Sequence, residues 1–291
     1  MITILTPAFN RAHLLPRLAE SLLSQTLQDF EWLIVDDGSS DNTEEVINKY
    51  RDVANFEVRY KKKRNEGKHS ALNVGFNESK GDWIFIVDSD DWLRSDCIGK
   101  IREVSNNLDS SFGAVSFLRV FEGGAVIGDT FPPGLKTYID RIERRVSGDK
   151  ADVLRKSAII DFKFPVYSGE KFMAESPMFI YVGQRYKTKF INYLGYVCEY
   201  QSGGLSDNSI LNRHKCVESS LYVYSEQYKN LKSKELKRRA AINWWRFRIG
   251  KRVREAAGNI PLYYLPIGIM FLFNDFFRFG VNIFGRVNKN I

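Results

Sequence analysis

The 291-residue chain is poor in the residues that build scaffolds by covalent or metal cross-linking: it has three cysteines and three histidines. Cys97, Cys198 and Cys216 lack any ligand spacing, and their odd number argues against a disulfide framework, so a reducing cytosol is expected. His69 and His214 stand isolated and read as surface or packing residues. Met1 runs almost directly into the first apolar segment, so no secretory leader is expected. A membrane-spanning helix needs about 20 apolar residues. The uncharged stretch Ile260 to Phe273 offers 14, interrupted by Pro261 and Pro266 and followed by Asp275 and Arg278. The turn Pro7-Ala8-Phe9-Asn10-Arg11 contains no glycine, which argues against the Gly-rich phosphate loop with which nucleotidyltransferases open. No recognised nucleic-acid module accompanies the basic residues, so nucleic acid is not an expected partner.

What is present is an alternation. A first strand from Ile2 is expected to stop at Pro7, which cannot donate to a ladder. His13 to Ser24 carries apolar residues at helical spacing. Trp32 to Val35 then runs into Asp36-Asp37-Gly38-Ser39-Ser40-Asp41, where Ser40 or Asp41 can cap a helix through Glu44, Glu45 and Ile47. A third strand is predicted over Phe56 to Tyr60, a glycine-bearing loop over Asn65 to His69, and a helix over Ser70 to Asn77. Trp83 to Val87 is continuously apolar, as in a strand covered on both faces, and ends in Asp88-Ser89-Asp90-Asp91. The order describes a parallel α/β sheet on which a chain of this length can add an appendage. Asp-x-Asp after one strand is often a polar turn. Two strands ending in clustered aspartates on one sheet edge is rarer, and such acids are tolerable together when a divalent cation sits among them. Open α/β sheets bind ligands at that edge.

The succession Thr6-Pro7-Ala8-Phe9-Asn10, Val35 to Asp41, Gly67-Lys68-His69-Ser70-Ala71-Leu72-Asn73 and Asp88-Ser89-Asp90-Asp91 resembles the family 2 glycosyltransferases. The resemblance covers residues 1–95, weakens over 96–205 and is absent beyond. It implies an inverting enzyme of GT-A fold, a Rossmann-like, mostly parallel sheet flanked by helices. Residues 1–95 would form the nucleotide-sugar half and 96–205 the acceptor half of a domain spanning 1–205. It also implies roles. Asp90 and Asp88 match the metal motif, with Asp90 the direct ligand and Asp88 contacting donor ribose or sugar or reaching the metal through water. Their oxygen chemistry suits Mn²⁺ or Mg²⁺. Ser89 would lie against the donor, and Asp91 would meet an acceptor or donor hydroxyl. Asp36 and Asp37 would accept from the base and ribose, the alternative being an ordinary Asp-Gly turn. Pro7, Ala8 and Phe9 would line the base slot, and Lys68, with His69 beside it in the motif, would reach base or phosphate.

An inverting transfer also needs a carboxylate base opposite the leaving group. Family members place a Glu-Asp pair at a helix start, and here Gly169 to Pro177 is the candidate stretch, with Pro177 suited to a first turn. Glu175 matches the first acid, Ser176 stands where the second is expected, and Glu170 is the runner-up. That departure keeps a non-catalytic sugar-binding relative open. Two strands are predicted over 189–193 and 195–200, leading to Gly203-Gly204 as a hinge. Residues 122–150 are loop-rich and yield no specific reading.

The C-terminal region differs in kind. Residues 210–291 hold 16 Lys+Arg against 5 Asp+Glu, a balance of +11, so the chain's +8 leaves −3 for the remainder. Ile242, Trp245, Ile249, Val253 and Ala256 form a stripe at helical spacing among arginines, and phenylalanines follow. Residues 206–291 are therefore expected to be a helical, basic and aromatic appendage lying on an anionic membrane. The alternative is packing on the catalytic domain or on a second subunit. The expected protein is peripheral on the inner face of the cell membrane, moving sugar from a UDP-linked donor to a glycan, lipid-linked, for surface polysaccharide. Paired spanning helices and a Gln-x-x-Arg-Trp-type motif, expected of a polymerising synthase, are not found.

Overall fold

The computed structural model describes residues 1–199, 208–251, 253 and 260–281; the expected Gly203-Gly204 hinge and Ala256 lie outside them. The chain divides into two compact units, residues 1–164 with 181–201 and residues 165–180 with 202–291.

The first unit is built on eight strands: β1 (Ile2–Ala8), β2 (Phe30–Asp36), β3 (Glu57–Lys62), β4 (Trp83–Ile86), β5 (Trp92–Leu93), β6 (Phe112–Phe121), β7 (Lys150–Arg155) and β8 (Lys187–Cys198). They form one sheet in the order β3-β2-β1-β4-β7-β6-β8-β5. The β3-β2-β1-β4 half is parallel, β7 runs antiparallel to β4 and β6, and β8 is parallel to β6. Helices α1 (Leu15–Leu23), α2 (Thr43–Val53), α3 (Lys68–Glu78) and α4 (Cys97–Asn106) alternate with the strands. Short α5 (Tyr138–Glu143) and α6 (Lys156–Ile159) follow, and α7 (Ser176–Arg185) runs from residues of the second unit into residues of the first. Every residue of β1, β2 and β4 is buried, which is what continuous apolar strands achieve when both faces are covered. Helix α1 closes one face with Leu15, Leu18, Ala19 and Leu22, all buried at helical spacing.

Two expectations are corrected. β1 does not stop at Pro7 but runs to Ala8, pairing Pro7 with Val35 and Ala8 with Asp36. The Leu5 carbonyl accepts from Val87 N–H on the β4 side. Pro7, two residues on, faces that same side, past the last β4 residue paired with β1, so its missing donor has no ladder to break. The two strands predicted over 189–193 and 195–200 are one strand, β8. Its register against β6 slips between Phe117/Ile191 and Arg119/Tyr196, and this irregularity produced the apparent gap.

The second unit contains α8 (Ser209–Lys215), α9 (Val217–Asn230), α10 (Lys234–Arg248) and α11 (Leu265–Phe279). Val217 and Leu221 of α9 pack with Ala241 and Trp244 of α10 and with Ile260. Helix α10 therefore buries Ala240, Ala241, Trp244 and Phe247 along with Ile242, a wider face than the predicted stripe, because it packs against both α9 and α11. The α10–α11 crossing depends on Gly268: a Cβ there would lie 2.6 Å from Trp245 Cβ and 3.1 Å from Arg246 N. Asp275, which interrupts the apolar stretch in sequence, is fully buried. It accepts from Arg246 and lies 2.8 Å from His214 Nε2. Among the described residues no helix is long and apolar enough to cross a membrane.

Candidate active site

The carboxyl ends of β1, β2 and β4 lie side by side, as the pairs Ala8–Asp36 and Leu5–Ile86 require. The loops leaving them are tied together. Asn10, held at φ +53°, donates from its N–H to Ser39 Oγ at 2.8 Å and accepts from Ser40 N–H at 2.9 Å. Asp41 accepts from Ala12 N–H at 3.1 Å. Asparagine tolerates that left-handed backbone better than most residues. Pro7 and Ala8 are buried beside this junction, and Phe9 projects with 43% of its surface exposed.

The acids after β2 are occupied by the protein itself. Asp36 accepts from Ser39 N–H at 2.8 Å, from Ser39 Oγ at 2.6 Å and from the Tyr60 hydroxyl, and it has no exposed surface. Three of the roughly four acceptor positions of a carboxylate are thus filled. Asp37 accepts from Lys63 Nζ at 2.9 Å, from Glu66 N–H at 3.0 Å and from Gly67 N–H at 2.6 Å. The two acids tie the loops after β2 and β3 together, and Gly67, at φ +97°, adopts the backbone that lets its N–H reach Asp37 as α3 begins. Helix α3 starts at Lys68, two residues before the predicted start. His69 points inward, buried against Phe164 with ring centroids 6.3 Å apart, and burial lowers its pKa.

The acids after β4 divide their work. Asp88 is gripped by Lys68 Nζ at 2.6 Å and Arg119 Nη1 at 3.2 Å. Burial pushes its carboxyl up, but these two cations outweigh that and hold it well below the ordinary range. Asp91 is buried, accepting from the Tyr196 hydroxyl at 2.8 Å and facing Arg119 at 3.4 Å. Burial and the charge of Asp88 push it up to about 7. Ser89 is buried between them in sequence. Asp90 is different: among the described residues no other residue hydrogen-bonds to or ion-pairs with its carboxylate. Burial and then Asp88 raise its pKa. Its backbone carbonyl is fixed by Arg17 Nη2 at 3.1 Å, while Arg17 also pairs with Glu199 at 2.6 Å and lies 3.8 Å over the Trp92 ring.

Among the described residues no group of three or more potential ligands converges on one point, so the three acids are not a self-sufficient cage. The set nevertheless suits Mg²⁺ or Mn²⁺. Such ions are commonly held by one or two carboxylates with the remaining positions left to substrate phosphates and water. A cation would relieve the repulsion that raises Asp90.

Arg119 and Tyr196 are central here and were not foreseen. Arg119 spans Asp88 and Asp91, donates to Lys150 O at 3.0 Å and lies 4.2 Å over the Tyr196 ring. The available signal was one arginine in the apolar run Ala114 to Phe121, since such a charge demands an acid partner.

In the second unit, Glu175 immediately precedes α7, and its carbonyl accepts from Met178 N–H at 3.0 Å. Ser176 Oγ accepts from Gln227 at 3.0 Å. Glu170 is spent on the first turn of α9, accepting from Glu218 N–H at 2.8 Å and Ser219 N–H at 2.7 Å.

A family model described as Glycosyl transferase family 2 matches residues 3–154, just over half of the chain. Over 98 residues the chain is 43% identical to the chondroitin synthase of Pasteurella multocida, covering 34% of this chain and 10% of that protein. Over 97 residues it is 31% identical to glycosyltransferase GlyA of Streptococcus pneumoniae, covering 33% and 14%. The chain thus spans a small part of these relatives. Among solved structures, S. aureus TarS 1-349 in complex with UDP-GlcNAc matches with TM-score 0.63 at 18% identity, over 84% of this chain and 71% of that one. Mannosyltransferase PcManGT from Pyrobaculum calidifontis, in complex with GDP-Man and Mn²⁺, matches with TM-score 0.58 at 15% identity, over 94% and 74%. These likenesses establish the GT-A type of fold.

Proposed function

The chain belongs to glycosyl transferase family 2, and from that premise we propose that it is an inverting, metal-dependent transferase. It moves a hexose or N-acetylhexosamine from a UDP-sugar to a hydroxyl of a glycan. The observation that carries this reading is the division of labour after β4: Asp88 is ionised by Lys68 and Arg119, while the neighbouring Asp90 carboxylate has no hydrogen-bond or ion-pair partner from another of the described residues. UDP is favoured by the UDP-GlcNAc complex of the TarS fold relative, and Mn²⁺ by the PcManGT complex.

In this reading Pro7, Ala8 and Phe9 line the base slot, which Asp36 and Asp37 hold in shape. Asp90 and Asp88 hold a divalent cation, with Ser89 and Lys68 against the donor and Asp91 toward a hydroxyl. When bound, the cation supplies Lewis-acid stabilisation of the departing diphosphate. Glu175 takes the proton of the acceptor hydroxyl as its oxygen bonds to the anomeric carbon and the bond from that carbon to UDP breaks. Glu170 is set aside as the base because both its oxygens serve α9. The chondroitin synthase relative supports polysaccharide assembly as the setting. The basic helical region supports a lipid-linked acceptor and docking on an anionic membrane surface from the cytoplasmic side.

UDP release measured with Mn²⁺ and with EDTA tests the reaction. Asp90→Ala should lower metal-dependent turnover on the order of 10²- to 10³-fold, the size of other lost electrostatic contacts to a developing charge. An unaffected rate would remove the metal assignment. Absence of metal-dependent turnover in the wild type, despite thermal stabilisation by a nucleotide sugar, would favour the non-catalytic alternative.

A further inference from the structure

The second unit contains a cavity of about 750 Å³ bordered by α8, α9, α10 and α11. Its lining combines two chemistries. Arg238, Arg239 and Arg246 share one face of α10 with Ile242, Arg213 comes from α8, and Glu235 is the single acid among the lining residues. Ile267, Met270 and Phe271 of α11 supply an apolar wall. Arg246 is already neutralised by buried Asp275, and Arg213 donates to Ser209 O at 3.0 Å and lies over Phe172. The guanidinium groups of Arg238 and Arg239 are exposed, with no carboxylate partner among the described residues. The apolar wall continues outward along α11, where Met270 is 60%, Phe273 47% and Phe277 81% exposed. Spaced three and four residues apart, these lie on one helix face.

We propose that this cavity is a binding site for a phosphate-headed lipid, with the phosphate on Arg238 and Arg239 and the hydrocarbon chain along Met270, Phe273 and Phe277. Charge complementarity selects this occupant. A neutral lipid leaves both guanidinium groups without an anion, and free phosphate leaves the apolar wall exposed to water. A 15-residue helix is about 22 Å long, too short to cross the roughly 30 Å hydrocarbon layer, so lipid covers its apolar face by lying along it, as an acyl layer or a single chain, and not by being spanned. The site deepens the membrane-docking part of the proposed function and rests on it, while requiring nothing of the transfer chemistry.

The test uses the full chain without sugar donor. Binding of short-chain phosphatidic acid below its micellar concentration is measured by calorimetry beside inorganic phosphate and short-chain phosphatidylcholine. Phosphatidic acid should bind, and the other two should bind at least about tenfold more weakly. R238A/R239A should weaken phosphatidic acid binding about 10- to 30-fold, from roughly 1 kcal/mol per arginine. The charge-matched K49A/K62A, on exposed lysines of the first unit, should leave it unchanged. Equal losses in both variants, or equal binding of phosphate or of the neutral lipid, would overturn the site. Co-sedimentation with phosphatidylglycerol vesicles reads membrane docking separately: vesicle binding that persists in R238A/R239A with no short-chain binding in the wild type would reject the cavity and keep the docking. Concentration-dependent dimerisation abolished by Phe277→Ser, with no lipid binding, would assign the face to a second copy and reject the proposal.

Discussion

The strand-end site and the C-terminal helices both concentrate charge, and they neutralise it in opposite ways. After β2, each oxygen of Asp36 and Asp37 accepts from a donor in the same unit. After β4, Asp88 and Asp91 share Arg119, and the Asp90 carboxylate is left without a hydrogen-bond or ion-pair partner among the other described residues. In the helical unit Arg246 is matched internally by Asp275, beside His214, while Arg238 and Arg239 are exposed with no acid partner among the described residues. A charge matched within the protein shapes the site, whereas a charge left unmatched marks where something from outside is needed. By that criterion Asp90 asks for a cation, and Arg238 with Arg239 asks for an anion.

The contrast can be broken most forcefully at Arg119. Arg119→Met leaves Asp88 with Lys68 as its cation and Asp91 with only the neutral donors Tyr196 and Cys198 among the described residues, and should cost about 3–5 kcal/mol, the usual penalty for removing one partner of a buried pair. Urea midpoints measure it; a loss no larger than that of an exposed ion pair would mean that this network does not hold the site. Gly268→Leu should cost about 1–3 kcal/mol in the helical unit, because overpacking the α10–α11 crossing outweighs the gain in helix propensity. Unchanged stability would show that the crossing yields. The smallest effect should appear on acidification. Burial lowers the pKa of His214, although Asp275 raises it and Arg246 and Lys251 oppose protonation. The neutral ring's contribution is therefore complete above about pH 6.5, the unfolded value, and is lost as pH falls toward the lower folded value. Between pH 7.5 and 5.5 the melting temperature of the wild type should drop more than that of His214→Gln. Parallel curves would show that His214 is not the titrating group.

Much of the strand-end site was readable because its motifs are contiguous. Asp36-Asp37-Gly38 and Asp88-Ser89-Asp90-Asp91 each end an apolar run, and a parallel sheet brings successive strand ends to one edge. The predicted helices appear at α1, α2 and α3 within a few residues. Pro7 misled because a proline's effect depends on which side its missing donor faces, and that needs the length of the neighbouring strand. Strand β8 was divided in two because a register slip leaves the same trace in sequence as a turn. Arg119 and Tyr196 went unnoticed because their partners lie 31 and 105 residues away.

Sequence alone thus determined the order of strands and helices as far as β4, the acids at the strand ends and the family, since each is written within a few neighbouring residues. Tertiary structure decided which of those acids are already spent. Asp36, Asp37 and Glu170 look as available in sequence as Asp90 does, but burial strips the water from Asp36 and Asp37 and makes each find a donor, Tyr60 and Gly67 respectively, and half-buried Glu170 accepts from the Ser219 N–H at the start of α9. Those pairings span 24, 30 and 49 residues, and only the folded chain closes them.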